Sequence, residues 1–266
     1  MPTMLCRYQG KKIISKRHAS IIYKHYNIII KSIDTSKYNY KNEYNTITQL
    51  YNKNIIKLLD SYYENDRFNL IYPYYECGDL YNYLLKIHYD SAKPPSNITL
   101  VHLFKNLVEP IKYLHSKSYV HLDVKPENFL IKKNENSKNL SINSISNKYN
   151  NNLVLIDYEF ARYIQGNYNN IHDLKYICGT NNYMAPEMKN RRFGFPSDIY
   201  SLGRIFFLLQ FKRLPNKNDI LIQSELKQFP DLKDITISLL NSNPKNRPTI
   251  FEVDKLLDIY IENILT

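Results

Sequence analysis

The sequence predicts an α+β fold in two parts, a small strand-rich lobe followed by a larger helix-rich one, with a cleft between them. Three observations carry the prediction. Residues 5–35 are rich in Ile and Tyr with short polar breaks, as consecutive strands are. Beyond Gly78 the apolar residues recur at helical rather than strand spacing. The chain has 266 residues, 43% of them hydrophobic, enough to bury the core of one large domain or of two lobes.

Strands fill residues 5–35. Tyr44, Ile47 and Leu50 recur at a spacing of three, which predicts a helix over 40–50. "NIIKLLDSYYENDRFNLIYPYY", beginning at Asn54, reads as two strands joined at the turn-like cluster "ENDR". Leu80, Tyr83, Leu84 and Ile87 fall on one helical face, and the segment from Leu100 to His115 repeats that period. Residues 132–152, "KKNENSKNLSINSISNKYNNN", are Asn-, Ser- and Lys-rich with sparse apolar residues and read as a flexible surface insertion. Loop expansion is preferred there to an interaction tail, because long surface loops cost little.

The formal net charge of +11 invites a nucleic-acid partner. Composition offers a blander cause. The chain is crowded with Asn, Ile, Lys and Tyr and has no Trp, the usage of an A+T-rich coding sequence such as that of a large DNA virus or a protist. Its 36 basic residues are scattered and not interleaved with aromatics, so no specific nucleic-acid partner is expected. Cys6, Cys77 and Cys178 lie far apart and are odd in number; they show neither a disulfide framework nor a metal-ligand spacing, and favour a reducing compartment. "MPTMLCRYQGKK" lacks an apolar signal core, and the runs "YNIII" and "IFFLL" fall far short of the ~20 residues that cross a bilayer. The expectation is an intracellular, cytoplasmic chain without a membrane partner.

Residues 119–131, "YVHLDVKPENFLI", set Asp123, Lys125 and Asn128 among apolar neighbours. Buried without partners, such groups would be costly. Phosphoryl transfer to an alcohol needs this set: a carboxylate to orient and deprotonate the hydroxyl, an ammonium to offset the moving charge, a carboxamide oxygen for Mg²⁺. Alone, D-x-K-x-x-N reads equally as a solvated turn broken at Pro126. Its context narrows the choice. "NLVLIDYEFA" places Asp157 at the end of an apolar strand, where a carboxylate could make a second metal contact, and "CGTNNYMAPE", "SDIYSLG" and "NPKNRPT" follow.

In order and spacing, over nearly the whole chain, these segments resemble the eukaryotic-type protein kinase family, whose patterns are H-R-D-x-x-x-x-N, D-F-G, A-P-E and, upstream, V-A-I-K after a Gly-rich loop. The counterparts are His121-Leu122-Asp123 with Asn128, Asp157-Tyr158-Glu159, Ala185-Pro186-Glu187 and Ile28-Ile29-Ile30-Lys31. Each is weak alone; in succession they are specific. The resemblance implies the bilobal kinase fold, residues 1–76 forming the N-lobe and 77–266 the C-lobe around an ATP cleft. It implies ATP and Mg²⁺ as cofactors and Ser/Thr hydroxyls of a protein as substrate; a monomer is expected.

Carried over residue by residue, the resemblance makes Asp123 the group that orients the acceptor hydroxyl and Lys125 the one that offsets charge. Asn128 and Asp157 would bind Mg²⁺. Lys31, held by Glu43, would grip the phosphates, and Ile14, Ile22, Ile29 and Leu130 would sandwich the adenine. Tyr72 takes the bulky gatekeeper place. Pro73 keeps its carbonyl and Tyr75 its N–H for the adenine edge. Asp79 would sit by the ribose or a basic substrate residue, or else serve as a helix N-terminal acid. Thr180 and Lys125 resemble the serine/threonine-specific branch; Glu187 and Arg247 look like its buried ion pair, and Asp198 like the cap of the catalytic loop.

Four departures bear on activity. "SKRHAS" puts Ser15, Arg17 and Ser20 where the phosphate loop has glycines, which should loosen its cover while Lys16 and Arg17 compensate with charge. Leu122 replaces the arginine that reads a phosphorylated activation loop, and no Ser or Thr lies between Asp157 and Thr180. Activity is therefore expected not to depend on Ser/Thr phosphorylation there, with Tyr163, Tyr168 and Tyr176 as the remaining acceptors. Glu159 replaces the glycine after Asp157-Tyr158; it either holds Asp157 facing the metal or crowds the Mg²⁺ site. Two functions follow: a minimal serine/threonine kinase, or a pseudokinase acting as a nucleotide-binding or scaffolding module. Retention of Lys31, Glu43, Asp123, Asn128 and Asp157 favours the first.

Overall fold

The structure, a computed structural model, describes residue 8 and residues 10–90, 96–133, 152–168, 170–215 and 230–265. Cys6 and residues 134–151 of the expected insertion lie outside the described residues.

The first lobe is a five-stranded antiparallel sheet in the order β1-β2-β3-β5-β4, built from β1 (Lys12–Lys16), β2 (Ser20–His25), β3 (Ile28–Asp34), β4 (Asp60–Glu64) and β5 (Arg67–Pro73). β-Branched isoleucines suit the pleated surface, and Ile30 and Ile33 of β3 are fully or almost fully buried. Two residues close the β4–β5 hairpin, with Glu64 opposite Arg67. Asn65 and Asp66 take φ of 48° and 58°, the left-handed pair that matches strand twist and that Asn and Asp tolerate best. Helix α1 (Lys41–Gln49) lies on the sheet, its Ile47 sharing a core with Ile33, Phe68, Leu70 and Tyr72.

The strand expected from Asn54 begins only at Asp60. Residues 54–56 reach instead to the second lobe, and only Leu59 rejoins the sheet, its N–H donating to Ile71 O at 2.8 Å. Leu155 N–H donates to Asn54 O at 2.8 Å, Ile56 N–H to Leu155 O at 3.0 Å, and Asn54 Nδ2 to Leu153 O at 2.7 Å. With the backbone groups of Asn54 and Ile56 already paired there, these residues cannot extend the hairpin.

The second lobe is helical: α2 (Leu80–Asp90), α3 (Asn97–Ser116), α4 (Phe195–Phe211), α5 (Pro230–Leu239) and α6 (Ile250–Leu265). Ser96 caps α3 by accepting from Thr99 N–H. That helix is apolar on most sides, as suits a core helix, and Phe104 stacks on Phe206 of α4 with ring centroids 4.1 Å apart. Two short antiparallel pairs frame the cleft floor: β6 (Tyr119–Val120) with β9 (Arg162–Tyr163), and β7 (Phe129–Ile131) with β8 (Leu153–Leu155). Phe129 opposes Leu155 and Ile156 N–H donates to Asn128 O at 2.9 Å, so Asn128 and Asp157 emerge at the same end of the pair. Among the described residues, no helix is long and apolar enough to cross a membrane.

Candidate active site

The loop carrying Asp123 is shaped from beneath by Asp198, in the first turn of α4. Its fully buried carboxylate accepts from His121 N–H at 2.8 Å and Leu122 N–H at 2.9 Å, and lies 3.1 Å from His115 Nε2. These bonds hold Leu122 in the left-handed region, φ 65°. The Leu122 side chain is buried in an apolar cluster with Val120, Ile164, Cys178 and Met184. Gly179 packs on the same turn with φ +91°, and a Cβ there would stand 2.5 Å from Leu122 O; only glycine fits.

Asp123 thus faces the cleft with partners on both oxygens. Thr180 Oγ1 donates to Oδ1 at 2.6 Å, while Lys125 Nζ lies 2.8 Å from Oδ2 and donates to Thr180 Oγ1 at 2.7 Å. Asn128 Nδ2 donates to Asp123 O at 2.8 Å and Oδ2 at 3.2 Å. The amide nitrogen of Asn128 is spent on that loop, so its carbonyl oxygen is the atom left for a hard cation.

From the sheet lobe, Lys31 Nζ donates to both oxygens of Glu43 on α1, at 2.9 and 2.7 Å, and to Asp157 Oδ1 at 2.8 Å. Asp157 takes φ 65°, which turns its side chain back toward the lysine. Burial disfavours the Lys31 ammonium, but the charges of Asp157 and Glu43 outweigh it and raise the Lys31 pKa. Burial likewise opposes ionisation of Asp157; Lys31 and Arg17 overcome it and hold the carboxyl well below its ordinary value. For Glu43 burial wins, pushing the carboxyl up against the pull of Lys31. The Tyr72 hydroxyl, 3.4 Å from Glu43 Oε1, closes the back of the crevice.

Two adjoining cavities of about 370 and 260 Å³ share Arg17, Ser20, Lys31 and Asp157. Ile14, Ser15, Ile22, Ile29, Glu43, Tyr72, Pro73, Asp79, Leu130 and Asn128 line the larger; Asp123, Lys125 and Thr180 line the smaller. Of the residues expected from sequence at the nucleotide cleft, Tyr75 and Lys16 lie off both: Lys16 is exposed at the end of β1, and Tyr75 packs on the core, its carbonyl accepting from Gly78 N–H at 3.2 Å. The Asp79 carboxylate borders the larger cavity but also works as the helix-end acid: Oδ1 accepts from Asn82 N–H and Oδ2 from Asn82 Nδ2, both at 2.8 Å. Tyr168 is not a free acceptor, since its hydroxyl accepts from Ile250 N–H at 3.1 Å and lies 3.4 Å from His115 Nδ1. Tyr163 and Tyr176 are exposed.

Several contributors were not foreseen. Ile56 and Ile156 complete the apolar wall, and Glu127 lies beside Asn128. Asn42, next to Glu43 on α1, donates to the carbonyls of Glu159 and Ala161 at 2.8 and 3.0 Å, and the Tyr38 hydroxyl to Glu159 O at 3.2 Å. The segment after Asp157 is tied in this way to the helix that carries Glu43. Glu159 itself does not take positive φ, so the backbone asks for no glycine there. Ile156 adjoins Asp157 in sequence, a usable signal; nothing local marks Asn42.

A sheet lobe over a helical lobe, with a lysine–glutamate pair above and an aspartate–asparagine loop below one crevice, defines the class as the protein-kinase fold. Comparison agrees: residues 12–257 match the family described as "Protein kinase domain". The chain belongs to the protein kinase family, among its serine/threonine-kinase-like members. It is 29% identical over 230 residues to Calcium-dependent protein kinase 5 of Plasmodium falciparum, an alignment covering 81% of this chain and 37% of the relative. It is 32% identical over 211 residues to Serine/threonine-protein kinase mph1 of Schizosaccharomyces pombe (73% and 28%). To Serine/threonine-protein kinase DCLK3 of Mus musculus it is 29% identical over 225 residues (78% and 26%). The matched part is thus under two fifths of each of these relatives.

Proposed function

We propose that the chain is an ATP- and Mg²⁺-dependent kinase of protein Ser/Thr hydroxyls, with residues 1–76 as the N-lobe and 77–266 as the C-lobe. The observation that carries this reading is that Lys31, Asp123, Asn128 and Asp157, from both lobes, border one pair of joined cavities. The donor set suits Mg²⁺: a carboxylate at Asp157 and the unspent carbonyl oxygen of Asn128, both oxygen ligands. The walls suit adenine: Ile14, Ile22, Ile29 and Leu130 line an apolar slot with Pro73 at its border, and the Pro73 carbonyl and Tyr75 N–H would serve the adenine edge. When bound, Mg²⁺ supplies charge neutralisation between the phosphates.

Asp123 would orient the acceptor hydroxyl and take its proton, with Thr180 and Lys125 fixing the carboxylate; Lys125 would offset charge on the moving phosphoryl group. Lys31, braced by Glu43, would position the phosphates. Burial of Leu122 among apolar residues supports a kinase that does not read a phosphorylated activation loop, and the Asn42 and Tyr38 bonds to that segment support a substitute for it. A cytoplasmic monomer fits the free thiols of Cys77 and Cys178, the latter pushed up to about 11 by burial.

Purified protein given labelled ATP, Mg²⁺ and a Ser/Thr peptide library, beside Asp123→Asn, tests the reading. Wild type should incorporate label on the order of 10²-fold faster or more. Equal background incorporation by both would favour the pseudokinase, a reading supported by the glycine-free hairpin at residues 15–20 and by Glu159.

A further inference from the structure

The hairpin tip over the cleft, residues 15–20, carries no glycine and uses no positive φ. The amide of Arg17 is turned inward. Arg17 N–H donates to Ser20 O at 2.8 Å, and Ala19 O accepts from Asp34 N–H at 2.8 Å. An amide committed to its own hairpin is a poor anion donor. The side chain of Arg17, unlike its own amide, enters the crevice, lines both cavities, and brings Nη1 to 3.7 Å from Asp157 Oδ2. The other oxygen of that carboxylate is already held by Lys31 at 2.8 Å.

Two cations therefore stand on one carboxylate at the junction of the two cavities. The Lys31 contact is short and almost fully buried. The Arg17 contact is longer than a hydrogen bond, and its side chain is 63% exposed against 17% for Asp157. A weak, solvated pair of this kind exchanges readily for a better acceptor. A phosphate chain is such an acceptor, because its oxygens match the planar guanidinium fork in two-pronged fashion.

We propose that Arg17 is a second phosphate-gripping group beside Lys31: its guanidinium leaves Asp157 Oδ2 for the terminal phosphates of a bound nucleoside triphosphate, so the hairpin recognises phosphate through this side chain and not through the Arg17 amide. The same movement uncovers Asp157. The inference rests on reading the crevice as a nucleotide site, and it makes a counterintuitive demand. Glycine at position 17, the residue type the family has there, should weaken binding, not restore it.

The test is equilibrium titration of the wild-type chain, Arg17→Gly, Arg17→Ala and Arg17→Lys with ATP and with adenosine, by fluorescence or calorimetry, with Mg²⁺ and again with EDTA. Arg17→Gly and Arg17→Ala should lose on the order of tenfold to a hundredfold in ATP affinity, the worth of a charge-assisted hydrogen bond or two. Arg17→Lys should lose less, adenosine binding should not move, and the loss should persist in EDTA. ATP bound by Arg17→Gly as tightly as by wild type overturns the proposal alone. A parallel loss of adenosine and ATP overturns it too, since the residue then only shapes the loop. Wild type that binds no adenine nucleotide overturns the nucleotide-site reading and this proposal with it.

Discussion

Lys31 and Asp157, 126 residues apart in the chain, meet as ammonium and carboxylate at 2.8 Å. The same ammonium holds Glu43 at 2.7 Å, so one side chain of β3 joins α1 of the sheet lobe to the segment that follows β8 of the helical lobe. Two carboxylates share one lysine, which leaves the trio with a net negative charge. The exposed Arg17 partly offsets it, and a cation bound at Asp157 would do the same.

Replacing Lys31 should therefore cost stability as well as ligand. Lys31→Met would leave Glu43, 1% exposed, and Asp157 without their ammonium. Removing one partner of a buried ion pair costs about 3–5 kcal/mol. Adding Glu43→Gln should return part of that loss, because the second variant no longer buries an unpaired charge. Urea unfolding of the single and double variants reads both numbers; purely additive losses would show that the pair is not coupled.

Thr180 tests the other half of the site. Its hydroxyl donates to Asp123 Oδ1 at 2.6 Å and accepts from Lys125 at 2.7 Å. Thr180→Ala removes both bonds and lets the carboxylate turn. The expected result is a fall of about tenfold in kcat, the worth of one charge-assisted hydrogen bond, with KM for ATP little changed. Thr180→Ser should recover most of the rate.

Much of this site is legible in the sequence because its chemistry is costly in any other setting. Asp123, Lys125 and Asn128 stand out as polar residues among apolar neighbours, and "ENDR" marks a hairpin because Asn65 and Asp66 accept left-handed backbone. Contacts made at long range leave no such trace. Residues 54–59 carry the same Ile and Leu pattern as a strand, and only Leu155, about a hundred positions away, turns Asn54 and Ile56 toward the second lobe. Asn42 reads as an ordinary helix polar residue, yet it ties α1 to Glu159 and Ala161. Asp79 has the right place for a ribose contact and the right geometry for a helix cap, two uses that one residue type serves equally.

Arg247 anchors the helical lobe far from the crevice. Its fully buried guanidinium donates to both oxygens of Glu187 at 2.8 Å, to Pro196 O at 2.8 Å and to Asn241 O at 2.7 Å. A lysine cannot reproduce that planar fork. Arg247→Lys and Arg247→Ala should both lower stability, the alanine variant by about 3–5 kcal/mol. Below the melting transition, adenine-nucleotide affinity should hold. Denaturant curves and a binding titration on the same samples separate the two effects; loss of affinity in a folded variant would give Arg247 a role beyond anchoring.

Glu159 supplies a pH dependence with a definite sign. Burial, helped by the negative charge of Asp157, raises its carboxyl above the unfolded value of 4.5 despite the pull of Lys31 and Arg17. A group whose pKa is raised by folding stabilises the fold fully below its unfolded pKa, and that contribution is lost as pH rises through the folded value. Glu159→Gln stays neutral throughout. The variant should therefore melt higher than wild type at pH 7.5, and the gap should close as pH falls toward 4.5. The partly exposed side chain keeps the effect small. Paired thermal melts over that range check it; a gap that stays constant on acidification would mean that the buried charge is not its cause.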